Sequence, residues 1–346
     1  MALNRRQFTG LMAAGLAAPA SIIRPAYAQP KPGDELVVGI WGGAQEKIVK
    51  KHIEPKLVEK YGCKVSYVLG GTGERRARAY AERGRPSFDV LYLNIYESRQ
   101  AVADGVTQPA SPAVPNYEYL YPLARKGGYG VAFNPCTIVY DKTAASAPIT
   151  SWKDMWNPEW KGRIAWPNGL GAEGISALMM TAKAWGYGID EFDKVVEKVK
   201  ELKPFAGIQG SQAQLFDMLD QNVADLSVEF ASFTRMYAES RNPNCAIAEP
   251  IEGQAVTMNV ACITEGTRNQ KLAEEWVNLH LSPETMLAYA NEIYYSPTVN
   301  NVEIPPELEG KVITAGNVDS LVDFDWDYIN AHRSEWQAKY DREIAG

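Results

Sequence analysis

The stretch ELVVGIWGGAQEKIVKKHIEPKLVEKYGCKVSYVLG, residues 35–70, carries the pattern that decides the fold. It opens on an apolar, β-branched run that climbs to Trp41 and stops at Gly42 and Gly43. A segment with helix-spaced apolar residues follows, is closed by Gly62, and leads into a second strand-like run, CKVSYVLG. Strand, helix, strand in that order predicts a βαβ unit. Outward from it the alternation continues. GERRARAYAERG (73–84) reads as a polar helix, FDVLYLN (88–94) as a buried strand with Asp89 near its start, and ESRQAVADG (97–105) as a helix closed by Gly105. This order predicts an α/β fold with a mainly parallel sheet and helices on both faces. Ligands of such sheets gather at the carboxyl ends of the strands, where Trp41, Asn94 and Tyr96 fall.

Upstream, residues 1–28 combine Arg5-Arg6-Gln7-Phe8, an apolar stretch over 11–23 and the ending Ala26-Tyr27-Ala28. That layout predicts a cleaved export signal of the twin-arginine type, and hence a periplasmic location. The apolar stretch is shorter than the roughly 20 residues a membrane span needs and is broken by Pro19. The chain holds 35 basic and 42 acidic residues. Residues 1–28 contain three arginines and no acid, which leaves 32 against 42, a balance of −10. With no basic run, nucleic acid and anionic membranes are excluded as expected partners. About 318 residues remain after the signal, more than one core usually serves, so two domains are expected.

The four cysteines, Cys63, Cys136, Cys245 and Cys262, form no CxxC pair, and His52, His280 and His332 lie at no ligand spacing. A structural zinc site is not expected. An exported protein can form disulfides, and four cysteines allow three pairings that sequence does not choose between. Cys136 with Cys262, each in a strand-like run, is the preferred pair; four small buried side chains is the alternative.

The middle of the chain changes character. GGYGVAFNPCTIVYDK (127–142) reads as two strand pieces joined through Asn134 and Pro135. In SWKDMWNPEWKGRI (151–164) a short capped helix ends at Asn157-Pro158. SQAQLFDMLDQNVADLSVEF (211–230) reads as a helix feeding a strand that delivers Glu229, and QAVTMNVACITEG (254–266) as one long strand.

The order of IWGG, FDVLYLNIY, YGVAFNPCTIVYD, SWKDMWNPEWKGRIAWPN, EPIEGQAVTMN and IYYSPTVNN resembles the extracellular solute-binding proteins of ABC importers, in particular their spermidine/putrescine-binding branch. The most specific signpost is SWKDMWNPEWKG, against a family pattern of Ser/Thr-Trp-x-Asp-Leu-Trp-x-Pro-x-x-x-Gly. The resemblance implies two α/β lobes of the type II periplasmic kind, joined by hinge strands, that close on a solute held between them. Residues 29–138 with 259–302 would form one lobe and 139–258 with 303–346 the other. The implied partners are a small-molecule ligand and the permease subunits of an ABC transporter. The protein would act as a monomer without cofactors. A sensor that reports ligand to a membrane receptor would share the fold.

By the same resemblance, Trp41 falls on an aromatic-box position and Asn94 and Tyr96 on cleft positions. Trp41 packed under its sheet and Asn94 as a helix cap are the plain alternatives. The second lobe departs from the polyamine pattern. Relatives carry an Asp and a nearby Glu after the KGRI strand, where this chain reads WPNGLGAEG with Asn168; Thr257 and Asn259 replace a Trp and an Asp. A ligand with two or more ammonium groups would lose its partners, and a buried unpaired charge is costly. Glu229 is the candidate for one cationic group. The glycine turns NGLGAEG and IQGSQ, the latter with Ser211 as an N-cap, would offer backbone N–H groups to an anion. Trp41, Tyr96 and Trp166 could stack on an alkylammonium face. Together these predict a zwitterion such as 4-aminobutyrate, a betaine or an aminophosphonate, with polyamine binding as the alternative. Tyr294 and Tyr295 are expected to contact an organic ligand; as adjacent phenolates they also raise ferric iron, although no His or acid stands beside them in sequence. A periplasmic hydrolase is disfavoured, since neither GxSxG nor HExxH occurs.

Overall fold

The computed structural model describes residues 29–346; the export signal expected over 1–28 lies outside the described residues. The first half builds around β1 (Glu35–Ile40), which packs Leu36, Val38 and Ile40 into the core with no exposure. Burying each such side chain contributes about 1.5–3 kcal/mol. Gly43, in a left-handed conformation (φ 79°), then turns the chain into α1 (Ala44–His52). The single helix expected over 44–62 is two: Pro55 stands in the first turn of α2 (Glu54–Tyr61), where it can only begin a helix. β2 (Lys64–Leu69), α3 (Thr72–Ala81), β3 (Val90–Asn94) and α4 (Ile95–Ala103) complete the alternation.

From there β4 (Tyr129–Phe133) and β5 (Cys136–Asp141) are consecutive but lie in different sheets. The second half follows with β6 (Ala165–Pro167), α5 (Ala172–Trp185), α6 (Phe192–Lys200), β7 (Gly207–Gln209), α7 (Gln212–Asp220), β8 (Leu226–Phe230), α8 (Ala231–Ser240) and β9 (Cys245–Ile247). The long strand expected over 254–266 is also two pieces. β10 (Gln254–Ala255) pairs with β5, whereas β11 (Met258–Ile263) pairs with β3 and β4. α9 (Gln270–His280) and α10 (Pro283–Ile293) return to the first half, and β12 (Leu321–Val322) and α11 (Trp326–Tyr340) close the chain.

The first sheet has the order β2-β1-β3-β11-β4, with β1 parallel to β2 and β3, and β11 antiparallel to β3 and β4. The second runs β12-β10-β5-β8, with β9 also on β5, and a parallel β6–β7 pair reaches β8 through an Ile164–Leu226 bridge. The chain changes sheet at Asn134–Pro135, at Val256–Thr257, and a third time between Val299, bridged to Leu120, and β12. The first two crossings are tied together: the Asn134 N–H donates to the Thr257 carbonyl (3.0 Å), and the Thr257 hydroxyl donates to the Asn134 carbonyl.

α11 touches both halves. Trp336 stacks on Phe192 of α6 at 4.1 Å, while the Asn330 amide donates to the Tyr96 carbonyl of α4 (2.9 Å); just before the helix, Asp323 binds Arg99 and Lys126. The preferred Cys136–Cys262 bridge does not form. Cys136 lies in the second sheet and Cys262 in the first, and all four cysteines are buried free thiols. No helix among the described residues is long and apolar enough to cross a membrane.

Candidate functional site

A cavity of about 530 Å³ opens where the two sheets face each other. Its first wall comes from the carboxyl edge of the first sheet. Trp41 follows β1 and Asn94 ends β3, strands that are neighbours in the sheet. Register then sets Asn259 of β11 directly opposite Asn94. The Asn259 amide donates to Gln45 Oε1 (3.0 Å), and Gln45 Nε2 reaches the Tyr295 hydroxyl at 3.4 Å. Burial keeps the Tyr295 phenol neutral, pushing its pKa up from the usual value. A phenol oxygen that accepts from an amide has its own O–H free to donate.

Trp41 is half-buried. Its indole N–H donates to Thr72 Oγ1 (3.1 Å), and the Arg75 guanidinium lies 4.9 Å from its ring centre. Arg75 is itself buried behind the indole, with its pKa lowered to about 10 by desolvation, and remains cationic at neutral pH. The ring therefore already carries one cation on a face.

The second wall is acidic and aromatic. Glu173, in the first turn of α5, lines the cavity with Ser211 and Gln212 from the start of α7 and with Phe230 and Phe233 around the start of α8. Glu229, fully buried on β8, lies just behind this lining. Its Oε1 accepts from the Phe230 N–H (2.8 Å) and from Gln212 Nε2 (3.2 Å), and its Oε2 has no partner. Burial and the neighbouring Glu173 carboxylate push the Glu229 pKa up to about 8, and burial also raises Glu173. No basic group offsets either shift. Asn134 and Thr257, on the two crossings, form the floor.

The structure thus gathers Trp41, Asn94, Ser211, Thr257, Asn259 and Tyr295 around one cavity, with Glu229 one layer behind. Asn94 also caps α4, in a capping box with Glu97. Other expected residues lie elsewhere. Trp166 has no exposure and stacks on Phe205 at 5.5 Å inside the second half, because β6 is a covered strand. Tyr96 packs under α11, with Arg333 4.4 Å from its ring centre, and lines a separate cavity of about 540 Å³ with Arg76 and Arg333.

Asn168 is exposed outside the cleft. Two amides of its turn are already engaged: the Asn168 N–H donates to the Gln209 carbonyl and the Leu170 N–H to Gln337. A Cβ on Gly174 would collide with the Gly169 carbonyl oxygen, so this glycine serves the close turn. In IQGSQ, Ser211 caps α7 and the Gly210 N–H is taken by Gln214. Tyr294 turns away from Tyr295 in a left-handed conformation (φ 56°) and donates its hydroxyl to Glu239, so the two phenols do not converge. Among the described residues no group of three or more His, Cys, Asp or Glu is placed to hold a metal.

Sequence reasoning passed over Glu173, although it stands inside the quoted WPNGLGAEG. The signal was an acid in the first turn of a helix that starts at the carboxyl end of a strand. Gln45, Asn134, Gln212, Phe230 and Phe233 carried no signal of their own.

Two sheets with flanking helices, crossing strands between them and a polar cavity at the crossing define a two-lobed solute-binding fold. The chain belongs to the bacterial extracellular solute-binding protein family, whose profile matches residues 88–331. A putative extracellular solute-binding protein from Bordetella parapertussis superposes with a TM-score of 0.80 at 18% identity, over 90% of this chain and 99% of that one. A structure described as a GABA receptor gives 0.75 at 17%, over 89% and 97%. The spermidine/putrescine substrate-binding protein PotD from Streptococcus pneumoniae gives 0.71 at 19%, over 90% and 99%. These likenesses show the two-lobed α/β periplasmic-binding fold, and the family match makes the chain an extracellular solute-binding protein.

Proposed function

We propose that the protein, exported by a twin-arginine signal and acting as a monomer in the periplasm, captures a small amine-bearing zwitterion in the cleft and closes on it for an ABC permease. The lobes would be the two sheets with their helices, close to the division 29–138 plus 259–302 and 139–258 plus 303–346. Closure would hinge on the crossings at Asn134 and Thr257.

One observation carries the ligand class: Glu173 in the wall and Glu229 behind it have no basic group against them. An uncompensated acid pair is costly unless a cation arrives to join it. The opposite wall and the floor offer neutral donors, Tyr295 and the amides of Asn259 and Asn134, with Arg75 behind Trp41. This polarity suits one ammonium and one acidic or acceptor end, as in 4-aminobutyrate, a betaine or an aminophosphonate. It also assigns Trp41 to the uncharged body of the ligand rather than to its cation, since Arg75 already occupies one face of the ring. The structural neighbour described as a GABA receptor supports the reading, and PotD supports polyamines as the second. The acids lie on one wall only, which favours a single ammonium.

Thermal shift against amino acids, betaines, aminophosphonates, polyamines and ferric citrate tests this. A ligand at about 100 times its Kd adds roughly 2.7 kcal/mol. A response to polyamines or iron alone would reject the zwitterion.

A further inference from the structure

The second wall places two carboxyl groups together where neither can discharge onto a base. The elements packed on β8 bring few ionisable groups to Glu229. α5 brings Glu173, β5 the Cys136 thiol and α7 the uncharged Gln212 amide, while Phe230, the last residue of β8 itself, gives its N–H; β6 carries no ionisable side chain, and Arg235 of α8 acts on Glu239, Glu249 and Tyr294 instead. The Glu173 charge also acts on the Cys136 thiol and the Tyr96 phenol. Glu229 has no exposure, and one of its oxygens has no partner. An isolated carboxylate in such a place gives up its charge rather than bear the desolvation cost, and a like charge alongside pushes it the same way.

We infer that the empty cleft keeps Glu229 as the neutral acid, with Glu173 as the residue that positions this proton, and that capture of an amine expels it. The inference rests on the amine reading of the same site and adds what the capture does. A protonated amine arriving at the Glu173 wall supplies the missing counter-charge. The Glu229 O–H bond then breaks with its electron pair left on the carboxylate, and the proton passes to the buffer. The ligand keeps its own protons and charge. One cation enters and one proton leaves, so the buried site gains no net charge. The direction of the Glu229 shift, to about 8, agrees with this geometry. Binding is therefore weakened by acid. Below about pH 8 the Kd rises by about tenfold per pH unit, and above it the Kd is level.

The test is titration calorimetry with 4-aminobutyrate and putrescine as probes, in pairs of buffers that differ in ionisation enthalpy. Near pH 7 close to one proton should be released per amine bound, and near pH 9.5 almost none. E173Q removes the like charge, so the break in the plot of Kd against pH should move to lower pH and release at pH 7 should fall. A Glu173 that merely packs would alter Kd and leave the break in place. E229Q should abolish both the release and the break. A readout without ligand guards against a failed variant or probe: the infrared carboxylic-acid C=O band at pH 7 should be present in the empty wild type and missing in E229Q. Amine binding without proton release, or no acid band at pH 7, overturns this inference and leaves the amine reading standing. If neither amine binds, the amine reading falls and the inference falls with it.

Discussion

Glu229→Gln should make the empty protein more stable at neutral and alkaline pH, although the residue belongs to the candidate site. The folded-state pKa of Glu229 is raised from an ordinary 4.5 to about 8. The sign follows from proton binding. Between those two values the folded state holds a proton that the unfolded chain has lost, so stability falls as pH rises through that window. Below about 4.5 both states are protonated and above about 8 both are ionised, so the slope vanishes at either end. Each pH unit within the window costs about 1.4 kcal/mol, which makes the penalty roughly 3 kcal/mol at pH 7 and between 4 and 5 kcal/mol at its plateau. Gln has nearly the same shape and never ionises. Its different hydrogen-bonding demand at Oε2 adds an offset that does not vary with pH. Urea denaturation of both proteins, without ligand, at about pH 5, 6, 7 and 8 reads the difference directly. The gap should open in favour of Gln by about 1.4 kcal/mol per unit and level off near pH 8. A gap that stays constant across this range would refute the claim that Glu229 is buried without a counter-charge.

Two further outcomes are expected. Trp41→Ala and Trp166→Ala should separate a cleft indole from a core indole. Trp41→Ala should cost tenfold or more in affinity for a bound amine, with roughly 1–2 kcal/mol of stability. Trp166→Ala should cost about 3–5 kcal/mol of stability, and Trp166→Phe, which keeps the stack on Phe205, should bind as the wild type does; equal loss of affinity in both alanine variants would contradict the placement. His280 is another strongly shifted group. Burial lowers its pKa to about 3, so it contributes fully above the usual 6.5 and progressively less as pH falls toward 3. His280→Gln should accordingly flatten the acid-side loss of stability in denaturation curves taken between about pH 6.5 and 4; an unchanged acid limb would show that other groups set it.

Much of the first half was legible because buried parallel strands are near-continuous apolar runs, as in Leu36–Ile40 and Val90–Leu93, and because glycines mark the turns between them. Legibility failed where one run of residues serves two sheets. QAVTMNVACITEG has the pattern of a single strand, yet Gln254 and Ala255 pair with β12 and β5 while Met258 to Ile263 pair with β3 and β4. It failed again for the tryptophans. Trp41 and Trp166 both follow apolar strand residues, and only the helices and strands stacked over β6 leave Trp166 with no exposure. Glu173 was passed over because a first-turn acid on a helix is common for reasons of helix electrostatics alone. Its distinction is the company of Glu229, 56 positions further along the chain.

The amino-acid order by itself determined the alternation of strands and helices, the export signal's pattern and the kinship with solute-binding proteins, because these are written in local periodicity and short motifs. Which side chains share the cleft was decided only by tertiary structure. Register puts Asn259 beside Asn94, and the crossings bring Glu173, with Glu229 behind it, opposite Trp41 and Tyr295. Burial and like-charge proximity, which give Glu229 its proton, are properties of that assembled space and belong to no stretch of the chain taken alone.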